Sequence, residues 1–188
     1  MNKQPEVTEA TRQAYINAFV KVYMQKNINK ITVKELTEIT KTSRATFYRY
    51  FQDVYAIYEY VENHIFEQIK LRMENCIEKE GAEREFINLT AEMYQEEREY
   101  LEVLFKENGL DSFRRRLSFI GKEQIFHNFH LPENNVKVSY IVDYYMSSII
   151  TLLGRRVNHP NDMEKDELVE LVQELLSTGV KEQLTRYK

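Results

Sequence analysis

Residues Ile31 to Tyr50 read ITVKELTEITKTSRATFYRY, and Phe51 follows at once. Two helical patterns stand back to back in this stretch, Val33 to Ile39 and Ser43 to Tyr50, with neither proline nor glycine between them. In the first, Val33, Leu36 and Ile39 recur at i, i+3 and i+6 and are expected to share one buried stripe, while Lys34, Glu35 and Glu38 face water. Thr32 is a residue of N-cap type for the first helix and Ser43 for the second. In the second helix Ala45, Phe47 and Phe51 are the apolar positions, alternating with Arg44, Thr46, Tyr48, Arg49 and Tyr50. Between Ile39 and Phe51 lie three cations, Lys41, Arg44 and Arg49, and no acid, in a chain where 30 acids outnumber 26 Lys and Arg.

Two short helices joined by a three-residue turn describe the helix-turn-helix, whose second helix lies in the major groove of DNA. An arginine offers guanine a two-pronged donor, threonine offers a hydroxyl and a methyl, and tyrosine hydroxyls reach phosphates. Thr32, Lys41, Thr42, Ser43, Arg44, Thr46, Tyr48, Arg49 and Tyr50 are therefore the expected DNA contacts. Arg44 and Thr46 are assigned to base edges, and Thr32, Tyr48, Arg49 and Tyr50 mostly to phosphates. A cationic surface helix of an ordinary bundle would share the charge run, so the decision rests on the surrounding residues.

Those residues resemble the TetR family of transcriptional regulators, whose DNA-binding domain carries a pattern close to T-V-x-x-I-A-x-x-A-G-V-S-x-x-T-F-Y-x-Y-F. Thr32, Val33, Leu36, Ser43, Thr46, Phe47, Tyr48, Tyr50 and Phe51 fall in register with it. Upstream, Thr11-Arg12 and Ala18-Phe19 match as well, so the resemblance covers roughly the first fifty-five residues. It implies a dimeric, sequence-specific DNA-binding regulator, most simply a repressor relieved by a small-molecule effector. The alternative is a TetR-like helical co-activator working through a protein partner with weak DNA affinity. Four positions depart from the pattern: Thr37 and Thr40 stand at alanine positions, Lys41 at the turn glycine, and Val54 where a phosphate-contacting lysine is usual. Lys41 is expected to carry a left-handed turn that a residue with a Cβ adopts at some cost.

Outward from this stretch, composition favours an all-helical chain. Five glycines and three prolines in 188 residues are too few for a sandwich or barrel, and 43% hydrophobic residues suffice for a core. No apolar run is long enough to span a membrane and no leader pattern stands at the start, so a cytoplasmic protein is expected. The single cysteine, Cys76, fits helix packing in a reducing compartment. Charge divides unevenly along the chain. Residues 1–54 hold nine basic and five acidic side chains, a net of +4, which leaves −8 for the rest of a chain whose net is −4. That split suits a DNA-binding head on an acidic body.

The expected organisation is all-α, with about nine helices. A head at residues 1–52 has a mobile arm over residues 1–6 and a first helix from Val7 to Gln25. Ala14, Ile16, Ala18, Phe19, Val22 and Tyr23 form the buried side of that helix, and Asn27 is left-handed after it. A body at residues 53–188 begins with a long helix from an Asp53 cap to about Glu80, linking head to body. Gly81 ends it. Further helices are expected near Glu83 to Glu97, Arg98 to Glu107, Asp111 to Asn128, Val136 to Val157 and Glu164 to Thr185, with a break at Asn108-Gly109 and turns at 131–135 and 158–162. The last two helices are expected to form a twofold dimer through Tyr140, Tyr144, Ser147, Ser148, Thr151 and Gly154 and through Leu168, Leu171, Val172, Leu175, Leu176 and Val180.

The rings of Phe86, Tyr94, Tyr100, Phe105, Phe113, Phe119, Phe126, Tyr140 and Tyr144 exceed what a small bundle needs for packing. An effector cavity is expected among them, with Tyr94, Phe105, Phe119, Phe126, His127, Tyr140 and Tyr144 as its lining. No cofactor or metal is expected: His127 and His130 lack a ligand set that completes a known spacing, and Arg114, Arg115 and Arg116 cannot all face one side of a helix. No catalytic motif is present, so an enzyme is not expected.

Overall fold

The computed structural model describes residues 5–74, 92–106 and 111–175, and all regular structure among them is helical. The expectations for Cys76, Gly81, Phe86, Asn108-Gly109, Leu176 and Val180 lie outside the described residues. The helices are α1 (Pro5–Tyr23), α2 (Val33–Thr40), α3 (Arg44–Phe47), α4 (Val54–Glu74), α5 (Arg98–Leu104), α6 (Ser112–Asn128), α7 (Val136–Asn158) and α8 (Lys165–Leu175). Residues 92–96 are also helical, and a single 3₁₀ turn occupies Ile28–Lys30. None of the described helices is long and apolar enough to cross a membrane.

The chain forms two compact units, 1–67 and 68–188, so the division falls inside α4 rather than at residue 53. Packing gives the reason. Val54, Ile57, Val61 and Ile65 are buried, Tyr58 meets Tyr23 edge-on at 5.9 Å, and Tyr60 meets Phe51 at 6.1 Å, so the first turns of α4 complete the core of the first unit. At its other end Arg72 donates to Gln68 Oε1 (2.9 Å) and pairs with Glu96, which ties the last turns of α4 into the second unit. Asp53 starts the helix as expected, its Oδ1 accepting from the Ala56 N–H at 2.9 Å.

In the first unit Tyr15, Ile16, Phe19 and Tyr23 of α1 are fully buried and Ala18 nearly so. Ala14 is exposed, contrary to expectation, and Tyr15 takes its place. Helical backbone begins at Pro5, a favoured residue for a first helical turn, so Pro5 and Glu6 belong to α1 and not to the expected arm. Asn27 is extended (φ −70°, ψ 148°) rather than left-handed. The chain leaves α1 into the 3₁₀ turn, where burial of Ile28 and Ile31 anchors it. An ion pair from Lys26 Nζ to Glu35 (2.6 Å) then joins this corner to α2.

In the second unit α7 packs on α6 and α5. Leu131, Val138, Val142 and Met146 form a buried cluster with Phe126 and Phe129 against it. The carbonyl of Phe105, at the end of α5, accepts from both Arg114 (3.1 Å) and Asn158 (2.9 Å), and its ring meets Phe113 at 5.3 Å and 85°. This fixes Arg114 as a packing residue, with its guanidinium 5.7 Å from the Phe105 ring, while Arg115 and Arg116 face water. Gly154 is buried against the same ring: a Cβ there would lie 3.1 Å from Phe105 Cδ1. Gly154 thus serves packing within the protomer, not the expected dimer face. Gly154→Ala gains helix propensity of about 1 kcal/mol, but the pinned Phe105 cannot retreat and overpacking costs about 1–3 kcal/mol. A net loss of thermal stability is expected by calorimetry.

Candidate nucleic-acid interface

The turn between α2 and α3 is built by capping at both ends. Thr32, extended at φ −119°, accepts at its Oγ1 from the Glu35 N–H (3.2 Å) and starts α2. Lys41 ends it in the left-handed region at φ 53° and ψ 43°, as the missing glycine requires. The Thr42 N–H donates to Thr37 O (3.0 Å) and the Lys41 N–H to Glu38 O (3.3 Å), the paired bonds of a Schellman end. Ser43 then caps α3, its Oγ accepting from the Thr46 N–H at 3.0 Å.

The threonines at the expected alanine positions turn their hydroxyls onto the backbone. Thr37, 5% exposed, donates to Lys34 O (2.8 Å), and Thr40 donates to Leu36 O (2.9 Å). Thr40 Oγ1 also meets Thr42 Oγ1 at 2.9 Å, and the Tyr15 hydroxyl bonds the same Thr42 oxygen.

One expectation for burial fails here: Ile39 is 45% exposed while Thr37 is buried. Of the apolar positions of the second helix, Phe47 and Phe51 are core residues and Ala45 is exposed. The α-helix itself spans only Arg44–Phe47, with Tyr48 to Tyr50 in turn conformation. Phe47 is fully buried and Tyr15 (5.2 Å, 84°) and Phe51 (6.1 Å) surround it, which fixes the depth of α3 against α1.

The structure brings the expected DNA-binding residues together around this turn. Lys41, Ser43, Arg44, Tyr48 and Arg49 are exposed, Tyr48 by 59%; Thr32 is exposed at the start of α2. Thr42, Thr46 and Tyr50 are partly buried, Thr46 with its hydroxyl on Ser43 Oγ (2.9 Å) and Tyr50 beside Tyr15. Among the described residues Lys41, Arg44 and Arg49 have no ion pair, whereas Lys26 and Lys34 on the same unit pair with Glu35 and Glu38. Lys21 and Lys30 of the same unit also have no ion pair among the described residues, but they stand apart in sequence, whereas Lys41, Arg44 and Arg49 lie within nine residues with no acid among them. Val54, the missing lysine position, is 7% exposed and belongs to the core. Ala45 is an addition that the alternation in sequence concealed: a bare methyl on the exposed side of α3 is suited to a thymine methyl.

Lys41→Gly separates two effects of one residue. Removing the Cβ relieves left-handed strain of roughly 1–2 kcal/mol, partly offset by the greater freedom of glycine in the unfolded chain. Removing the charge lowers the dependence of DNA affinity on salt by about one unit of slope if Lys41 meets a phosphate. The expected outcome is a higher melting temperature with weaker, less salt-sensitive DNA binding.

The seven residues expected to line an effector cavity are not brought together. Phe105 is core, Phe126 packs on the Leu131 cluster, and Tyr94 is partly buried with the Arg156 guanidinium 5.8 Å from its ring. Phe119 (62%), Tyr140 (73%), Tyr144 (68%) and His127 are exposed. Tyr140 and Tyr144 stand two residues out of step with Val138, Val142 and Met146, hence on the opposite side of α7. His130, also exposed, is the left-handed residue after α6 at φ 50°. No group of three or more His, Cys, Asp or Glu among the described residues could hold a metal ion.

Comparison with known proteins gives a family and a fold. Residues 81–178 match the TetR-type family model described as "Transcriptional regulator C-terminal region". No curated protein matches the sequence. Among solved structures, the fatty acid degradation regulator FadR from Bacillus halodurans is similar with a TM-score of 0.69 at 12% identity, over 95% of this chain and 98% of that one. A putative TetR-family transcriptional regulator from Syntrophomonas wolfei gives 0.65 at 18%, covering 92% and 95% of the two chains. NalD, the secondary repressor of the MexAB-OprM multidrug efflux pump in Pseudomonas aeruginosa, gives 0.64 at 16%, covering 92% and 97%.

Proposed function

The chain belongs to the TetR family of transcriptional regulators, which are transcription factors and not enzymes, and from that premise we propose that it is a dimeric repressor that reads duplex DNA through α3 and releases it when a small molecule binds the body. The observation that carries the DNA-reading part is the exposed run Lys41, Arg44 and Arg49, without an ion pair among the described residues, on and beside a short helix whose depth is fixed by buried Phe47. Arg44 and Ala45 at the front of α3 suit base edges; Thr32, Tyr48 and Arg49 suit the phosphates on either side. Such a protein acts in the cytoplasm, where the DNA is.

One helix reads only a few base pairs, so two copies are needed, with recognition helices about 34 Å apart on successive major grooves. The faces offered to a second copy are the exposed row Val136, Tyr140, Tyr144, Ser147 and Thr151 on α7 and Leu171 and Leu175 on α8. Val172 is 8% exposed and packs within the protomer.

For the effector, Tyr94 is the supporting residue: its hydroxyl is buried and has no hydrogen-bond partner among the described residues. A buried hydroxyl without a partner costs about 1–3 kcal/mol, which a ligand with a polar atom at that point recovers. A ligand preferring one tilt of α4 by about 2.7 kcal/mol would change operator affinity about a hundredfold.

Selection of DNA from a random duplex pool by the purified protein tests the reading. A twofold-symmetric site is expected, followed by loss of binding with a metabolite found by thermal shift. Enrichment of no sequence removes the repressor and favours a co-activator working through a protein partner.

A further inference from the structure

A left-handed residue with a Cβ is a strained way to end α2, and the side chains around Lys41 show what holds it there. Tyr15 lies on α1, 27 residues before Thr42, is fully buried, and bonds the Thr42 hydroxyl. Thr42 Oγ1 lies 2.9 Å from Thr40 Oγ1, and Thr40 Oγ1 donates to Leu36 O at 2.9 Å. Each hydroxyl owns one proton. The Thr40 proton goes to the Leu36 carbonyl, so Thr40 accepts from Thr42, and Thr42 in turn accepts from Tyr15. The chain of bonds therefore runs one way, from α1 through the turn to the backbone of α2.

Two consequences follow for Thr42. Its hydroxyl proton is committed to Thr40 and its N–H to Thr37 O, so it has no donor left for a phosphate. Thr42 is thus a support of the turn rather than a DNA contact. The Tyr15 ring also meets Phe47 at 5.2 Å and Phe51 at 6.4 Å, both nearly perpendicular, so one side chain grips the turn with its hydroxyl and α3 with its ring.

Resting on the DNA-reading function above, we infer that Tyr15, acting through Thr42 and Thr40, is a positioning residue for sequence readout. It holds the left-handed turn at Lys41 so that Arg44 and Ala45 meet the base edges at one angle. Contacts to bases depend on that angle closely, and phosphate attraction depends on it little. Loss of the hydroxyl chain is therefore expected to lower discrimination between sequences and leave general affinity for DNA in place.

The experiment compares wild type with Tyr15→Phe, Thr42→Val, the double variant and Thr42→Ser on the selected operator and on a scrambled duplex, with thermal melting of each. Tyr15→Phe and Thr42→Val are each expected to reduce the operator-to-scrambled affinity ratio about fivefold. Scrambled-duplex affinity and its salt slope should stay unchanged. The double variant should lose no more than the worse single one, because both break one chain, and Thr42→Ser should restore the ratio. An unchanged ratio in both single variants, or a loss on both duplexes alike that simply tracks melting temperature, overturns the inference. A wild type that discriminates no sequence overturns the DNA-reading function itself and this inference with it, so the two failures are told apart.

Discussion

Arg44→Ala is expected to weaken binding to the selected operator by about 1–3 kcal/mol, roughly 5- to 150-fold. Arg44 is the first residue of α3, directly after the Ser43 cap, is exposed, and has no ion pair among the described residues. Its guanidinium is therefore free to make two parallel bonds to one guanine. Substitution removes both and leaves the buried acceptors of the base unpaired, which is why the expected loss exceeds that of a phosphate contact. The loss should concentrate at one position of the operator, so that changing that base pair costs the variant almost nothing. Tyr48→Phe is the contrast: a hydroxyl directed at phosphate should weaken all sequences by a similar, smaller factor. Equilibrium binding over a range of salt, on the operator and on single-base variants, measures both. If Arg44→Ala binds every one of these duplexes as wild type does, α3 does not enter the groove by its first turn.

The left-handed turn at Lys41 is legible through the resemblance, which puts this residue at the turn glycine, and the N-caps at Thr32, Ser43 and Asp53 are local chemistry that needs no knowledge of the fold. What went unread depended on direction within a helix. Val33, Leu36 and Ile39 step by three residues, and each step falls about 60° short of a full turn. The stripe winds out of the core by Ile39, and Thr37, four residues from Val33, takes the inner place. The same confusion placed Tyr140 and Tyr144 in a cavity: counting rings gives an excess, but a ring on the far side of α7 from Val138 and Val142 cannot line an interior. Gly154 stands among small residues of α7 that suggest room for a second copy, but the Phe105 ring fills that room, a contact across 49 residues that no local pattern reports. The hydroxyl chain from Tyr15 has no local signature either, since Tyr15 and Thr42 lie 27 residues apart and only the packing of α1 beside the turn joins them.

The outward row on α7 that failed as a cavity lining carries the remaining prediction. Val136, Tyr140 and Tyr144 are 68%, 73% and 68% exposed, and Ser147 and Thr151 continue the row at the three- and four-residue steps of one helix face. Three large apolar side chains in line, followed by two small ones whose hydroxyls are bonded to their own helix or short enough to pass, make a surface onto which a second copy of the same helix can close. The double variant Tyr140→Glu/Tyr144→Glu places two like charges at each side of such a contact without touching Val138, Val142 or Met146. The protomer should keep its helical content while sedimentation at micromolar concentration shifts from dimer to monomer. Operator affinity should fall by at least about a hundredfold, because specific binding exceeds non-specific binding by some 10³ or more and a lone recognition helix retains only part of that margin. A charge reversal of one pair, Tyr140→Lys mixed with Tyr140→Glu, should restore association between unlike copies only. A double-glutamate variant that still sediments as a dimer and still protects both halves of the operator would place the twofold axis away from α7, and the two tyrosines would then need another partner to account for their exposure.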